Sequence, residues 1–335
     1  MTPQPTRISV ALCTYNGEKY IAGQLQSIWD QTRPPDELIV ADDCSADGTL
    51  EAVRAFLDAH PRLFPVRLLT AEQNRGVIGN FSRAIAACGG ELIFPCDQDD
   101  IWLPEKIETL ARVFDAHPEC TVAFSDAALV DAEGRDLGRT LWQSLDFAPG
   151  MIGARYRNML ELLLNRCVVT GTAMAFRRGL LQIAEPFSSN WIHDGWLAVL
   201  AACTGELLPV DRKLVLYRQH GGNVVGANKN DPVSRGRRYL GNFARMEQIR
   251  RRRRGRYADV LERLRQAGFP ESEDTAALRR CVAFWDRMLE LDGAGFFRGC
   301  RIILSALAAH GYRRYYSGFK GAARDFACLL RGKGG

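Results

Sequence analysis

Asp97, Asp99 and Asp100 stand within four residues of one another, directly after the apolar run 91–95. Three carboxylates so close repel one another unless a counter-charge is supplied. A hard divalent cation is the natural one, with carboxylates and phosphate oxygens completing its shell. The alternative is a charge cluster at a helix N-terminus, since a helix opened by Pro104 follows; one capping acid would suffice for that, and three are present. Two further apolar runs end in polar sets: 8–13 (ISVALC) on Thr14, Tyr15 and Asn16, and 38–41 on Asp42 and Asp43. Later, His193-Asp194-Gly195 precedes the helical stretch 196–203, and the strand-like 214–217 runs into Arg218-Gln219-His220 and the glycines 221 and 222. Glycines there let the chain approach a ligand closely.

These sets need elements to position them. Residues 8–13, 38–41, 66–69 and 91–95 read as short buried strands. Between them lie helical spacings: 18–31, with Ile21, Leu25, Ile28 and Trp29 on one face; a helix capped by Ser45 and running to about His60; one over about 79–88; and one over 105–117. Strands alternating with helices predict an α/β fold, a Rossmann-like and mostly parallel sheet with helices on both faces. Ligands in such a sheet sit outside the carboxyl ends of the strands, where the three polar sets fall. Residues 120–220 look mixed, with strands at 121–125 and 168–176 and a helix at 156–164. From Pro232 onward only arginine-rich helical patterns follow.

Hydrophobic residues make up 47% of the 335 and charged residues 25%, an ordinary balance for a globular chain. The net charge of +5 hides an asymmetry: residues 1–230 carry a net of −7 and residues 231–335 a net of +12. A basic end of this kind suits an anionic surface, a membrane or a nucleic acid. The ten cysteines include no C-x-x-C pair and no zinc-ligand spacing, and Cys13, Cys96 and Cys203 sit in apolar runs, which predicts free thiols in a reducing compartment. A polar start predicts no secretory leader, and the lack of a long apolar run predicts no spanning helix.

The segments ISVALCTYNGEKYI, DELIVADDCSADGT, NRGVIGNFSRAI, GELIFPCDQDDIWLPEKI, HDGW and YRQHGGN carry a family likeness over about residues 6–226. Together, in this order and spacing, they resemble the family-two glycosyltransferases of GT-A fold, and within them the rhamnosyltransferase-like group. The resemblance implies a GT-A catalytic domain over 1–230, with a nucleotide-sugar half at about 1–117 and an acceptor half at about 118–230, followed by a basic helical region over 231–335. It also implies roles. Thr14, Tyr15 and Asn16 resemble the loop that holds the nucleotide base, with Glu18 behind it. Asp43 resembles the acceptor for the base's imide N–H, or else serves turn chemistry. Arg75 would reach the donor phosphates or base, or is a solvated surface cation. Asp97-Gln98-Asp99 resembles the D-x-D motif, with Asp97 toward the ribose and Asp99 on the metal. His220 matches a late histidine brought to the metal or diphosphate, or is structural; imidazole suits Mn better than Mg. Asp194 matches the catalytic base that takes the acceptor's proton, or caps its helix. His193 is a packed neutral side chain, or orients Asp194 or meets the acceptor.

The activity implied is inverting, metal-dependent transfer of a sugar, rhamnose favoured, from a nucleotide-diphosphate sugar to a hydroxyl of a glycan or lipid-linked acceptor in surface polysaccharide synthesis. A nucleotidylyltransferase would open with a glycine-rich loop after its first strand, and a dehydrogenase with G-x-G-x-x-G; neither motif is present. A non-catalytic nucleotide-sugar or membrane-binding protein would have no use for both Asp99 and Asp194. In the C-terminal third, Arg250–Arg254 covers all faces of a helix, and no nucleic-acid module accompanies it. The apolar stretch 296–309, followed by Tyr312, Arg313, Arg314, Tyr315, Tyr316, Phe319 and Lys320, suits a membrane headgroup region. The expectation is a cytoplasmic protein, peripheral on the inner membrane face, with a packed helical subdomain as the rival reading. The number of subunits is left open.

Overall fold

The strand β1 (Ile8–Thr14) is buried at all seven positions, the signature of a strand covered on both faces. It is the centre of the first half of the sheet in this computed structural model, which describes residues 6–61, 63–221 and 246–331. β1 pairs in parallel with β2 (Glu37–Asp42) on one side and β4 (Leu92–Asp97) on the other, and β2 pairs in parallel with β3 (Val66–Thr70). The register sets Thr14 beside Asp42 and Cys13 beside Asp97, so the three polar strand ends line up along one edge. The helices α1 (Glu18–Trp29), α2 (Thr49–Ala59) and α3 (Gly76–Ala86) make the crossovers. α1 buries Ile21, Leu25, Ile28 and Trp29, the face its spacing predicts.

The second half of the sheet is mixed. The order is β3-β2-β1-β4-β8-β6-β9-β5, with β7 (Asp136–Thr140) on β6. Here β5 is Ile101–Trp102, β6 Cys120–Val130, β8 Met174–Arg177 and β9 Glu206–Arg218. β8 runs antiparallel to both β4 and β6, whereas β9 runs parallel to β6. The helices of this half are α4 (Lys106–Ala116), α5 (Leu141–Ser144), α7 (Leu181–Ala184) and α8 (His193–Thr204).

Several local expectations are corrected. Residues 168–173 do not extend a strand: a short 3-10 turn over Gly171–Ala173 precedes β8. Ser45 does not cap α2, whose N-cap is Gly48; its hydroxyl donates to Asp42 Oδ1 at 2.6 Å instead. Asp194 does not cap α8 either, because the helix starts earlier, with Ile192 as N-cap and Asp194 in the first turn.

The chain divides into two compact units, one of residues 1–149 and 168–228, the other of 150–167 and 229–335. Residues 150–167 thus group with the C-terminal third. The second unit contains α6 (Met159–Asn165), α9 (Met246–Gln266), α10 (Glu273–Leu289), α11 (Phe296–Ala308), α12 (Gly311–Tyr315) and α13 (Phe319–Arg331). α6 is capped by Asn158, and α10 by a box of Ser272 and Thr275. The helical pattern expected over 232–245 lies outside the described residues. The arginine run is not a uniform solvated patch. Arg250 is buried and bridges Asp292 and Asp325, and Asp325 also accepts from Tyr312 Oη at 2.7 Å. Arg253 stacks over Trp285 and Tyr316. Tyr312, Tyr315 and Tyr316, expected at a headgroup region, are buried in this unit's core. Among the described residues no helix is long and apolar enough to cross a membrane.

Candidate active site

The loop after β1 is built by side chains from its neighbours. Thr14 is buried and its hydroxyl donates to Asp42 Oδ1 at 2.8 Å. Asn16, held at φ +48°, accepts from the Ala46 N–H through Oδ1 and donates its own N–H to Ser45 Oγ. Glu18 accepts from the Gly48 N–H at 3.1 Å. Gln98 clasps the Tyr15 backbone: its Oε1 accepts the Tyr15 N–H at 2.8 Å and its Nε2 donates to the Tyr15 carbonyl at 2.9 Å. A β-carbon on Gly17 would meet this amide at 2.1 Å, so glycine is what admits the clasp. Thr14, Asn16, Glu18 and Gln98 therefore shape the loop, while the ring of Tyr15 stands half exposed.

Asp43 is buried, and its Oδ1 accepts the Arg75 N–H at 2.8 Å, tying the loop before α3 to the end of β2. The Arg75 side chain is exposed. Asn80, which sequence reading passed over, donates to the Ala41 carbonyl at 2.8 Å and fixes α3 to the same strand end.

At the end of β4 the acids separate by task. Asp100 is buried and accepts the Arg218 N–H at 2.9 Å. Arg218 in turn donates through Nε to the Asp99 carbonyl at 2.9 Å and through Nη1 to the Ala132 carbonyl at 3.0 Å. These bonds fasten the end of β9 to the D-x-D turn and deliver His220, whose Nε2 lies 2.6 Å from Asp99 Oδ2. Tyr20 stacks on the His220 ring at 4.8 Å. Of the segment that carries His220, residues 222 and 223 lie outside the described residues. Lys106 is a basic side chain that sequence reading missed. It is buried, donates to the Thr172 carbonyl at 2.7 Å and lies 3.0 Å from the Trp102 ring centroid. Burial pushes its pKa well down, against the pull of Cys96, Asp100 and Asp97.

Asp97 is partly exposed at the strand end. Burial raises its pKa to about 8, and the charges of Asp99 and then Asp194 add to the rise. Asp194, which comes from α8, thus lies near enough for its charge to act on Asp97. Its Oδ2 accepts the Gly171 N–H at 3.2 Å and its Oδ1 the Gly195 N–H at 2.5 Å. His193 is packed rather than hydrogen-bonded: it is buried, stacks on Phe81 at 3.7 Å, and neither ring nitrogen has a hydrogen-bond partner among the described residues. Burial depresses its pKa. A β-carbon on Gly171 would meet His193 Nε2 at 2.4 Å, so glycine is required where this ring passes under the Asp194 anchor.

A carboxylate oxygen and an imidazole nitrogen that meet beside a second carboxylate fit a borderline divalent cation. Asp97, its proton held by burial and by the charges of Asp99 and Asp194, is the kind of group such a cation would relieve. The protein offers two converging ligand atoms here, from Asp99 and His220. Three within 4.8 Å of one another occur among the described residues at His117, Glu119 and Glu206, all exposed at the start of β6 and β9.

A parallel Rossmann-like half with acids at its strand ends, continued by a mixed half that brings in a second acid, defines the GT-A class of nucleotide-sugar enzymes. The chain belongs to glycosyl transferase family 2, whose model matches residues 9–183. It is 28% identical to the uncharacterized protein Rv1520 of Mycobacterium tuberculosis over 98% of both chains. It is also 28% identical to the dTDP-rhamnosyl transferase RfbG of Shigella flexneri, over 65% of this chain and 74% of that one. Its fold resembles that of S. aureus TarS 1–349, solved in complex with UDP-GlcNAc, with a TM-score of 0.56 at 17% identity over 97% of this chain and 92% of that one.

Proposed function

We propose that this glycosyltransferase moves a sugar, rhamnose by preference, from a nucleotide-diphosphate sugar to an acceptor hydroxyl in one inverting displacement with a divalent cation bound. The observation that carries this reading is the meeting of Asp99 with His220 beside Asp97, with Asp194 near enough for its charge to act on Asp97. In this reading residues 1–117 hold the donor and 118–230 the acceptor. The loop of Thr14, Tyr15 and Asn16, with Glu18 and Gln98 shaping it, receives the nucleotide base. Asp43 accepts from the imide N–H of the base, Asp97 faces the ribose, and Arg75 reaches the phosphates. Asp99 and His220 would hold the cation, Mn or Mg, which when bound offsets the charge that develops on the leaving diphosphate.

Asp194 takes the acceptor's proton as its oxygen attacks the anomeric carbon. That proton has to leave during attack, and a carboxylate anchored through two backbone N–H groups is held in one direction to receive it. A base on the side opposite the leaving group gives inversion. The relation to RfbG supports a deoxyhexose donor, and the motif resemblance supports a glycan or lipid-linked acceptor in surface polysaccharide synthesis at the cytoplasmic membrane face. Calorimetric titration with a panel of nucleotide sugars, with and without Mn, tests the proposal. It expects metal-dependent binding of one donor class, dTDP-rhamnose first; failure of every nucleotide sugar to bind with Mn or Mg present would contradict it.

A further inference from the structure

Helices α11 and α13 each carry an outward stripe at the spacing i, i+4, i+7, i+11, which lies along one face of a helix. On α11 the stripe is Phe297, Arg301, Leu304 and Ala308; on α13 it is Phe319, Ala323, Phe326 and Leu330. All eight residues are exposed, Phe297 and Phe319 each by 84%. The opposite faces are buried, at Gly299, Ile302, Ile303 and Ala306 on α11 and at Ala322 and Asp325 on α13. The two helices pack together: Leu329 sits where a Gly299 side chain would be, and the Phe296 and Phe326 rings lie 6.2 Å apart. That contact uses the buried face of α11, so the α11 stripe points away from α13 and the stripe of α13 is a surface of its own. A contiguous apolar surface of this kind marks an interaction site.

Its charge identifies the occupant. α11 contains no acidic residue, and the only one on α13, Asp325, is buried in its bridge to Arg250. Arg298, Arg301 and Lys320 stand exposed on the same helices, and Arg313 and Arg314 between them; Arg298 shares Glu290. A second copy docking symmetrically would set these cations against themselves. An anionic lipid leaflet offers phosphates to the cations and an apolar interior to the rings. We propose that this face of α13 lies in the headgroup region of an anionic bilayer, with Phe319, Phe326 and Leu330 inserted. Of the segment 296–320 that the sequence suggested for a headgroup region, the tyrosines are packed inward whereas Phe319 and Lys320 stand exposed, and the proposal stands independently of the reading of the active site.

The test is sedimentation of the full chain with vesicles of phosphatidylcholine alone or mixed with phosphatidylglycerol. The wild type is expected to pellet with the anionic vesicles. The triple substitution Phe319→Ser, Phe326→Ser, Leu330→Ser should weaken that binding by about tenfold or more, since buried apolar area sets interfacial affinity. Thermal unfolding should be little changed, because the three side chains are exposed. Lys320→Glu should reduce the preference for anionic lipid. Equal sedimentation of the triple variant and wild type would overturn the proposal, as would equal binding to neutral vesicles. So would a concentration-dependent dimer, seen by light scattering, that the triple substitution abolishes.

Discussion

Nε2 of His220 lies 2.6 Å from Oδ2 of Asp99, although 121 residues of chain separate them. The contact is the product of a fastening just before it: Asp100, the neighbour of Asp99, accepts the backbone N–H of Arg218, two residues before His220. One acid of the cluster thus works as a structural anchor so that another can share a point in space with an imidazole. Burial drives the groups behind this contact toward their neutral forms: the Asp97 carboxyl is raised to about 8, and the Lys106 amine is pushed well down against the pull of Cys96, Asp100 and Asp97.

Asp99→Ala is expected to abolish the Mn dependence of nucleotide-diphosphate binding, and His220→Ala to weaken it. Calorimetry of UDP and dTDP binding, with and without Mn, reads both effects. Metal-dependent binding that survives unchanged in Asp99→Ala would remove Asp99 from the metal.

Arg250→Ala should destabilise the C-terminal helices strongly. It leaves Asp325 buried without its cation, and breaking a buried pair by removing one partner costs about 3–5 kcal/mol. Arg252→Ala, two residues along on the exposed side of α9, should stay within about 0.5 kcal/mol of wild type. Chemical denaturation of the two variants checks the contrast; equal losses would mean that the run acts as a unit rather than through Arg250.

His193 is held neutral by burial, its pKa below the ordinary 6.5. Between those two values the unfolded chain binds a proton that the folded protein does not, so this contribution to stability is full above about pH 6.5 and is lost as the pH falls through that window. His193→Phe keeps a ring against Phe81 but cannot be protonated. The melting temperature of the variant relative to wild type should therefore rise as the pH is lowered from about 7.5 to about 5. A difference that does not change with pH would place the titration elsewhere.

The parallel half of the sheet was legible because its strands are continuous apolar runs and its helices show one clear apolar face, as α1 does. The polar strand ends were legible for the same reason, since they interrupt those runs. What the second half lacked was local signal. β5 is two residues long, β8 is four, and both exist only through pairing with distant strands. The roles of Asp100 and Lys106 were hidden because each is set by a partner far along the chain, Arg218 for one and Thr172 for the other. His220 was visible as a histidine before two glycines, yet its contact with Asp99 depends on the β9–D-x-D fastening, which no spacing records. In the C-terminal third, residue types gave the charge correctly but not the facing: Tyr312 and Tyr316 are core, while Phe319 is exposed.

The central claim is single displacement with Asp194 as base, and the configuration of the released sugar tests it most directly. With water as acceptor, proton NMR of donor hydrolysis in the presence of Mn reads the anomer before it equilibrates. The account predicts a first-formed sugar inverted relative to the donor. It also predicts a rate that falls about a hundredfold to ten-thousandfold in Asp194→Asn, with donor affinity little changed. A retained configuration, or an Asp194→Asn variant that turns over within a few-fold of wild type, would contradict it.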